Sequence, residues 1–504
     1  MKSSFFDRSN KSIWITVGFI LVMGLGIRLY DLTDPPLDFH STRQLWSAIT
    51  ARGMFYQGLE DVPDWKRDLA VEAWKSKPVI EPVIFESLTA FTYKVLGREV
   101  LWVARIYASI FWTVGGVFLY LLARDMTSKD GAVLALVFYM FLPFGVVASR
   151  SFQPDPLMVM WIIMAWWAFY RWRMIRTWKS AIFAGIFAGI AILIKSVAIF
   201  MILGGAMSLV LVDWGLLKAI KDRQVWLVIF LSGFPGLSYL IYGTVALGMT
   251  SQFEGRFFPE LLLDPGHYVR WGNQMIAIVG FSGLFTGLLG IFLFQTRLQK
   301  AFVIGLWAGY LLYGLLFPYH FLTHDYYHLP LIPLIALCIA PVFYAIFSYI
   351  QSLKPSWLSK FGILTVIILA VLLQVWEVRV KFAREDFRHE PPYWEALAEE
   401  IGRDNEVIAL TQDYGYRLFY YGWLATRNWP ETAHLAYREL RGGKPFVFEE
   451  WFSEETEGMD YFLVTRIKEL ERQTELHDHL FNNFAIVAEG DGYILFDLDQ
   501  SIPQ

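Results

Sequence analysis

The sequence predicts a polytopic α-helical membrane protein of about eleven transmembrane helices with a small C-terminal α/β domain outside the membrane. Three observations lead there. Hydrophobic residues make up 56% of the 504-residue chain, mean hydropathy is +0.41, and 18% of residues are charged, against about a quarter in soluble domains. Eleven apolar runs approach the roughly 20 residues that a bilayer core requires. They lie near 13–29, 100–123, 131–149, 156–170, 180–194, 197–212, 225–247, 274–294, 301–319, 329–349 and 361–378. Charge also changes sign near Arg379: residues 1–378 carry a net +8 and residues 379–504 a net −12. That step marks a basic membrane core, 1–378, followed by an acidic soluble domain, 379–504.

Taken in order, the first run lacks a small-x-small cleavage pattern at Gly26-Ile27-Arg28-Leu29 and reads as an uncleaved anchor. The loop 30–99 is the longest connection. In it Leu45, Trp46, Ile49 and Tyr56, then Trp65, Leu69 and Trp74, recur at helical spacing, as expected of helices lying in the headgroup layer. Pro78–Gly97 carries Glu81 and Glu86 and reads as a surface or re-entrant helix. The runs flanking Lys195 read as two spans, with one bent helix as the alternative. In the tail, Pro391–Ile401 reads as a helix and Val407–Thr411, Tyr461–Thr465, Ala485–Ala488 and Tyr493–Leu498 as strands. Glu489-Gly490-Asp491-Gly492 supplies a hairpin turn.

Lys and Arg gather in one set of short loops, from Lys2, Arg8 and Lys11 through Arg171, Arg173 and Arg176 to Lys354 and Lys360. The short loops of the other set hold only Arg150, Lys195, Arg256 and Arg270. The positive-inside rule then places the N-terminus in the cytoplasm and the acidic tail outside it. A net charge of −4 argues against nucleic acid as a partner. The single cysteine, Cys338, excludes an intramolecular disulfide and a cysteine-based metal site.

The functional signal is the gathering of costly polar residues at the outer helix ends. Asp38, His40 and Arg43 lie in the long loop, Arg150 and Asp155 in Ser149–Pro156, Lys195 at the end of a span, and His320, His324, Asp325 and His328 in one short segment. Each has a plainer reading. Asp38 and Asp155 suit turns or helix N-caps, Arg150 and Lys195 suit snorkelling to headgroups, and Tyr326 and Tyr327 suit an aromatic belt. Three histidines spaced by four suggest a metal, but no acidic ligand set accompanies them, and no cofactor is expected.

Together the motifs resemble the GT-C membrane glycosyltransferases. Within them they resemble family 39, which includes protein O-mannosyltransferases and the bacterial aminoarabinose transferase of lipid A. The likeness rests on Asp38-Phe39-His40-Ser41-Thr42-Arg43-Gln44, Glu81-Pro82, Arg105, Ser149-Arg150 through Asp155, Ile194-Lys195-Ser196 and His324-Asp325-Tyr326-Tyr327-His328, in order over about the first 350 residues. It implies a GT-C-like fold in the plasma (inner) membrane. The implied reaction takes a sugar from a polyprenyl-phosphate donor to a lipid, glycan or protein acceptor at the extracytoplasmic face, with inversion. Asp38, His40 and Asp155 are then the catalytic candidates. Arg43, Gln44, Glu81, Arg105, Arg150 and Lys195 are candidates for binding substrate, as are His324, Tyr326, Tyr327 and His328. The chain departs from the family in one respect: the acidic Asp-Glu pair common in the long loop is absent, and Arg43-Gln44 aligns opposite it, so both Asp38 and His40 stay open as the base. A transporter or flippase of a lipid-linked or charged substrate, and a non-catalytic membrane scaffold, are the alternatives.

Overall fold

A computed structural model describes residues 10–78, 80–249, 257–350, 356–443 and 446–501. Of the basic residues used for orientation, Lys2, Arg8, Arg256 and Lys354 lie outside them. The chain divides into two compact units. One comprises residues 1–33 and 77–385, the other 34–76 and 386–504. The charge step near Arg379 therefore falls close to one boundary, but residues 34–76 of the long loop belong with the acidic tail, which charge bookkeeping did not indicate.

In chain order the helices of the N-terminal half are α1 (Asn10–Arg28), α2 (Ser41–Tyr56), α3 (Asp64–Lys75), α4 (Ile84–Leu96), α5 (Trp102–Met126), α6 (Lys129–Phe141), α7 (Pro143–Ala148), α8 (Asp155–Ile175), α9 (Trp178–Ile194), α10 (Ala198–Lys221) and α11 (Arg223–Ala246). They continue with α12 (Pro265–Val279), α13 (Phe281–Leu293), α14 (Arg297–Leu316), α15 (Pro318–Thr323), α16 (Leu331–Ile350), α17 (Ser356–Arg384) and α18 (Glu390–Ile401).

All eleven apolar runs fold as helix, but not as eleven spans. Among the described residues six helices (α1, α5, α11, α14, α16 and α17) are long and apolar enough to cross a bilayer, and eight if two bent pairs count. The run 131–149 breaks before Pro143 into α6 and α7, and α9 has only 17 residues. The run 274–294 bends by 99° between α12 and α13. Gly280 sits at that bend with φ 74° and ψ 152°, backbone that a residue with a Cβ does not tolerate. Within this unit α9 packs against α8 and α11, α16 against α6 and α13, and α10 against α14. The α10–α14 approach is close enough that a Cβ on Gly204 would strike the Gly305 carbonyl. That is how helices associate where lipid removes the hydrophobic incentive. α4 is a surface-type helix of 13 residues, with Phe91 and Val95 exposed and Phe85 and Tyr93 buried.

The second unit holds a five-stranded sheet of order β2-β1-β3-β5-β4, from β1 (Val407–Leu410), β2 (Arg427–Asn428), β3 (Tyr461–Val464), β4 (Phe484–Gly490) and β5 (Tyr493–Ser501). β1 runs parallel to β2 and β3; β5 runs antiparallel to β3 and β4. The four longer strands and the Gly490–Tyr493 hairpin lie where the sequence places them; the two-residue β2 was not foreseen. β1 is buried along its whole length. Its alternation sends Ile408 and Leu410 to one core with Trp429 and Phe462, and Val407 and Ala409 to the other with Trp394 and Leu495.

α2 and α3 form as the spacing predicts; α2 is largely buried in protein, whereas Ala70 is the one buried residue of α3. Leu45 and Ile49 are fully buried, Trp46 meets Tyr416 at 6.0 Å, and Tyr56 and Trp65 meet Trp423 at 5.3 and 6.2 Å. Apolar spacing identifies a face to be covered; on α2 other protein covers it.

Candidate active site

The polar centre of the membrane unit assembles at chain breaks, where helix ends leave side chains free to converge. Asp155 opens α8 between Pro154 and Pro156, placing a carboxylate at the positive end of a helix. Lys195 ends α9 in extended backbone, φ −152° and ψ 117°, three residues before α10 begins. The two spans read on either side of it are thus separate helices. Glu81 precedes α4. Tyr326 and Tyr327 lie in the 3-10 turn Asp325–His328 ahead of α16.

These five meet. Lys195 Nζ donates to both oxygens of Asp155 at 3.0 Å and pairs with Glu81 at 3.6 Å. The ring centroids of Tyr326 and Tyr327 lie 5.0 and 5.5 Å from the ammonium, within reach of a cation–π attraction. The side chains of Lys195 and Asp155 are 6% and 2% exposed, and that of Glu81 is 18% exposed. An unpaired ammonium so buried would cost several kcal/mol, and here two carboxylates partner it. The snorkelling and belt readings of Lys195, Tyr326 and Tyr327 therefore fall away. So does the plain N-cap reading of Asp155: it occupies the first helical position, and its oxygens face Lys195.

The other candidates take different places. Arg150 is buried, donating from Nη1 and Nη2 to the carbonyls of Tyr30 and Asp31 at 2.8 Å each, with its guanidinium 4.2 Å from the Phe382 ring. Arg105 reaches the Asp31 carbonyl at 3.4 Å. Both hold the chain as it leaves α1. His328 is equally internal: Nε2 donates to the Phe321 carbonyl at 2.8 Å, which leaves Nδ1 to accept from the Tyr310 hydroxyl. It braces the turn that carries the tyrosines and does not line the cluster. His324 stacks on His320 at 5.5 Å and bonds Thr323 Oγ1. Among the described residues no three His, Cys, Asp or Glu side chains converge as metal ligands do.

Asp38, His40, Arg43 and Gln44 belong to the second unit. Gln44 Nε2 donates to Asp38 Oδ1 at 3.2 Å and to the Phe39 carbonyl at 2.8 Å, closing a tight turn. The N-cap of α2 is His40, not Asp38, and it sits in the left-handed region at φ 48° without a side-chain cap bond. A non-glycine residue there costs about 1–3 kcal/mol, a strain found most often at functional sites.

Sequence reading missed two features. Arg28, fully buried, bonds Ser149 Oγ and the carbonyls of Gly24 and Met140; an arginine inside an apolar run was the available signal. It also missed the ion network of the tail, where Arg417 bridges Asp413 Oδ2 at 2.6 Å and Glu390 Oε1 at 2.7 Å. Burial works against the charge of Arg417, but the two carboxylates outweigh it and hold the guanidinium above its ordinary pKa.

The family described as dolichyl-phosphate-mannose-protein mannosyltransferase matches residues 80–254, the stretch that contains Glu81, Asp155 and Lys195. Among solved structures, the chain is similar to ArnT from Cupriavidus metallidurans in the apo state, with a TM-score of 0.56 and 14% identity over 97% of this chain and 98% of that one. It is also similar to the same enzyme bound to undecaprenyl phosphate, with a TM-score of 0.54 and 15% identity over 96% and 97%. A third match is the Archaeoglobus fulgidus oligosaccharyltransferase in complex with Zn and sulfate, with a TM-score of 0.55 and 12% identity over 95% of this chain and 73% of that one. No curated protein matches the sequence. At these identities the likeness is one of fold, and the fold is GT-C, as the motifs led one to expect.

Proposed function

We propose that this protein transfers a sugar from a polyprenyl-phosphate donor to an acceptor at the extracytoplasmic face of the plasma membrane, with inversion. The observation that carries the proposal is the buried Lys195 bracketed by Asp155 and Glu81 beneath two tyrosines, in a GT-C fold. The ArnT structure with undecaprenyl phosphate supports a lipid phosphate as the donor's carrier.

The chemistry needs a fixed cation. As the glycosidic bond breaks, the leaving phosphate gains a negative charge. An ammonium about 4 Å away stabilises it by about 4 kcal/mol where water is scarce, against about 1 kcal/mol in bulk water. Lys195 shares its charge with two carboxylates, and a phosphate takes the place of one of them. Glu81 is the looser and more exposed partner, and it yields its place; Asp155 keeps the ammonium aimed. Tyr326 and Tyr327 offer rings and hydroxyls to the sugar. The acceptor hydroxyl gives its proton to a base, for which Asp38 and His40 remain the candidates. An isoprenoid tail in hydrocarbon with its head at the surface accounts for the polytopic frame.

The test is purified protein in nanodiscs with polyprenyl-phosphate sugars and lipid, glycan and peptide acceptors, scored by product formation and anomeric configuration. Lys195→Ala is expected to lower kcat/KM at least about a hundredfold, and Asp155→Asn to follow it. Full turnover in Lys195→Ala, Asp155→Asn, Asp38→Ala and His40→Ala alike would mean the site is misassigned. Donor-independent lipid flux without transfer would favour a flippase.

A further inference from the structure

We propose that Asp413, 370 or so residues away in sequence, is the positioning residue for the Asp38–Gln44 turn, so that the soluble domain serves as the clamp on that turn. This rests on the reading that the turn carries the base.

The strand order gives the first reason. β1 lies between β2 and β3 and runs parallel to both, so the chain reverses its direction of winding between β1 and β3. In open α/β sheets the crevice at the carboxyl ends of the strands at such a reversal is where a ligand binds. The residues that leave β1 at this point are Thr411 to Gly415. Asp413, Tyr414 and Gly415 are all left-handed, at φ 54°, 59° and 79°. Two consecutive non-glycine residues held there show that the surroundings dictate the turn.

What dictates it is this chain's own loop. Asp413 Oδ1 accepts from Ser41 Oγ at 2.7 Å and from Thr42 Oγ1 at 2.6 Å. These are the first two residues of α2, next to the strained and uncapped His40. Asp413 grips the start of α2 by its two hydroxyls rather than by capping backbone N–H groups, and it does so from the far end of the sequence. Every oxygen of the supporting network is occupied. Asp413 Oδ2 accepts from Arg417, Arg417 donates onward to Glu390 Oε1, and Glu390 Oε2 accepts from Trp394 Nε1 at 2.6 Å. Further along α2, Arg52 lies 3.7 Å from the Tyr420 ring and 4.3 Å from that of Trp423, with Nη1 on the Tyr420 carbonyl. The crevice that would hold a ligand in another α/β domain holds the start of α2, and through it the turn with Asp38, His40 and Arg43.

The test uses the full chain. Asp413→Ala and the double variant Ser41→Ala/Thr42→Val should each lower kcat about tenfold or more with KM for the lipid-phosphate sugar unchanged. Combined, they should lower it no further, because both remove the same contact. Asp413→Asn, whose amide oxygen still accepts from both hydroxyls, should restore most of the loss; a residue needed only for its charge would not be rescued. Backbone hydrogen exchange over residues 38–46 should rise in Asp413→Ala and not in Asp413→Asn. Unchanged exchange overturns the clamp. Raised exchange with unchanged kcat overturns the positioning role. A wild-type protein that transfers no sugar sinks the functional reading instead, and the exchange result still decides whether the clamp exists.

Discussion

The two units solve the same electrostatic problem in opposite ways. In the membrane unit one lysine stands between Asp155 and Glu81, one of them held tightly and the other loosely at 3.6 Å. In the soluble unit one arginine stands between Asp413 and Glu390, and all four carboxylate oxygens have hydrogen-bond donors. Lysine is a compact point charge that can change partners, whereas the guanidinium fork fixes its partners in direction and number. The looser cluster suits turnover of an anionic substrate. The saturated one suits holding a loop in place.

Removing one side altogether gives the largest effect. A chain ending at Glu385 keeps the whole Lys195 cluster but strips Trp46, Arg52, Tyr56 and the α2 start of their partners Tyr416, Tyr420, Trp423 and Asp413. It is expected to lose transfer completely and to be cut by protease within residues 34–76; a truncated chain with wild-type turnover would break the comparison.

A smaller effect separates the two kinds of buried cation within the membrane unit. Arg150→Ala removes two charge-assisted hydrogen bonds to the carbonyls of Tyr30 and Asp31, costing about 3 kcal/mol of stability. The melting temperature should fall while KM for the donor stays the same. A large rise in KM would return Arg150 to the substrate site.

The smallest effect sharpens the picture of the soluble unit. Glu469 is held below its ordinary pKa: burial pushes it up, but hydrogen bonds from Thr432 Oγ1 and N and from Gln473 outweigh that. Because the folded value lies below the unfolded one, its contribution is present above the unfolded pKa and lost as pH falls through the folded value. Exchange of the Thr432 amide should speed up as pH is lowered from about 5 to 3 relative to its intrinsic rate, and Glu469→Gln should flatten that dependence.

Much of the site was legible because its chemistry is expensive. Lys195, Asp155 and Glu81 stand out in apolar sequence, and ionisable groups at membrane depth persist only where something pays for them. Arg150 and His328 stand out for the same reason, and both bond to backbone carbonyls; a sequence shows that a polar group is buried but not which atom receives it. Asp413 left no signal: one aspartate among the many of an acidic tail looks like solvated surface.

By itself, then, the sequence determined the helices, the longer strands and the division into apolar and acidic parts. Those follow from local periodicity, side-chain chemistry and the cost of exposing backbone to lipid. The number of helices long enough to span, the burial of α2 in protein, and the partner chosen by each charge were decided only by the tertiary structure. Each depends on residues far apart in the chain meeting at a distance of about 3 Å, the reach of a hydrogen bond, and no local pattern encodes that meeting.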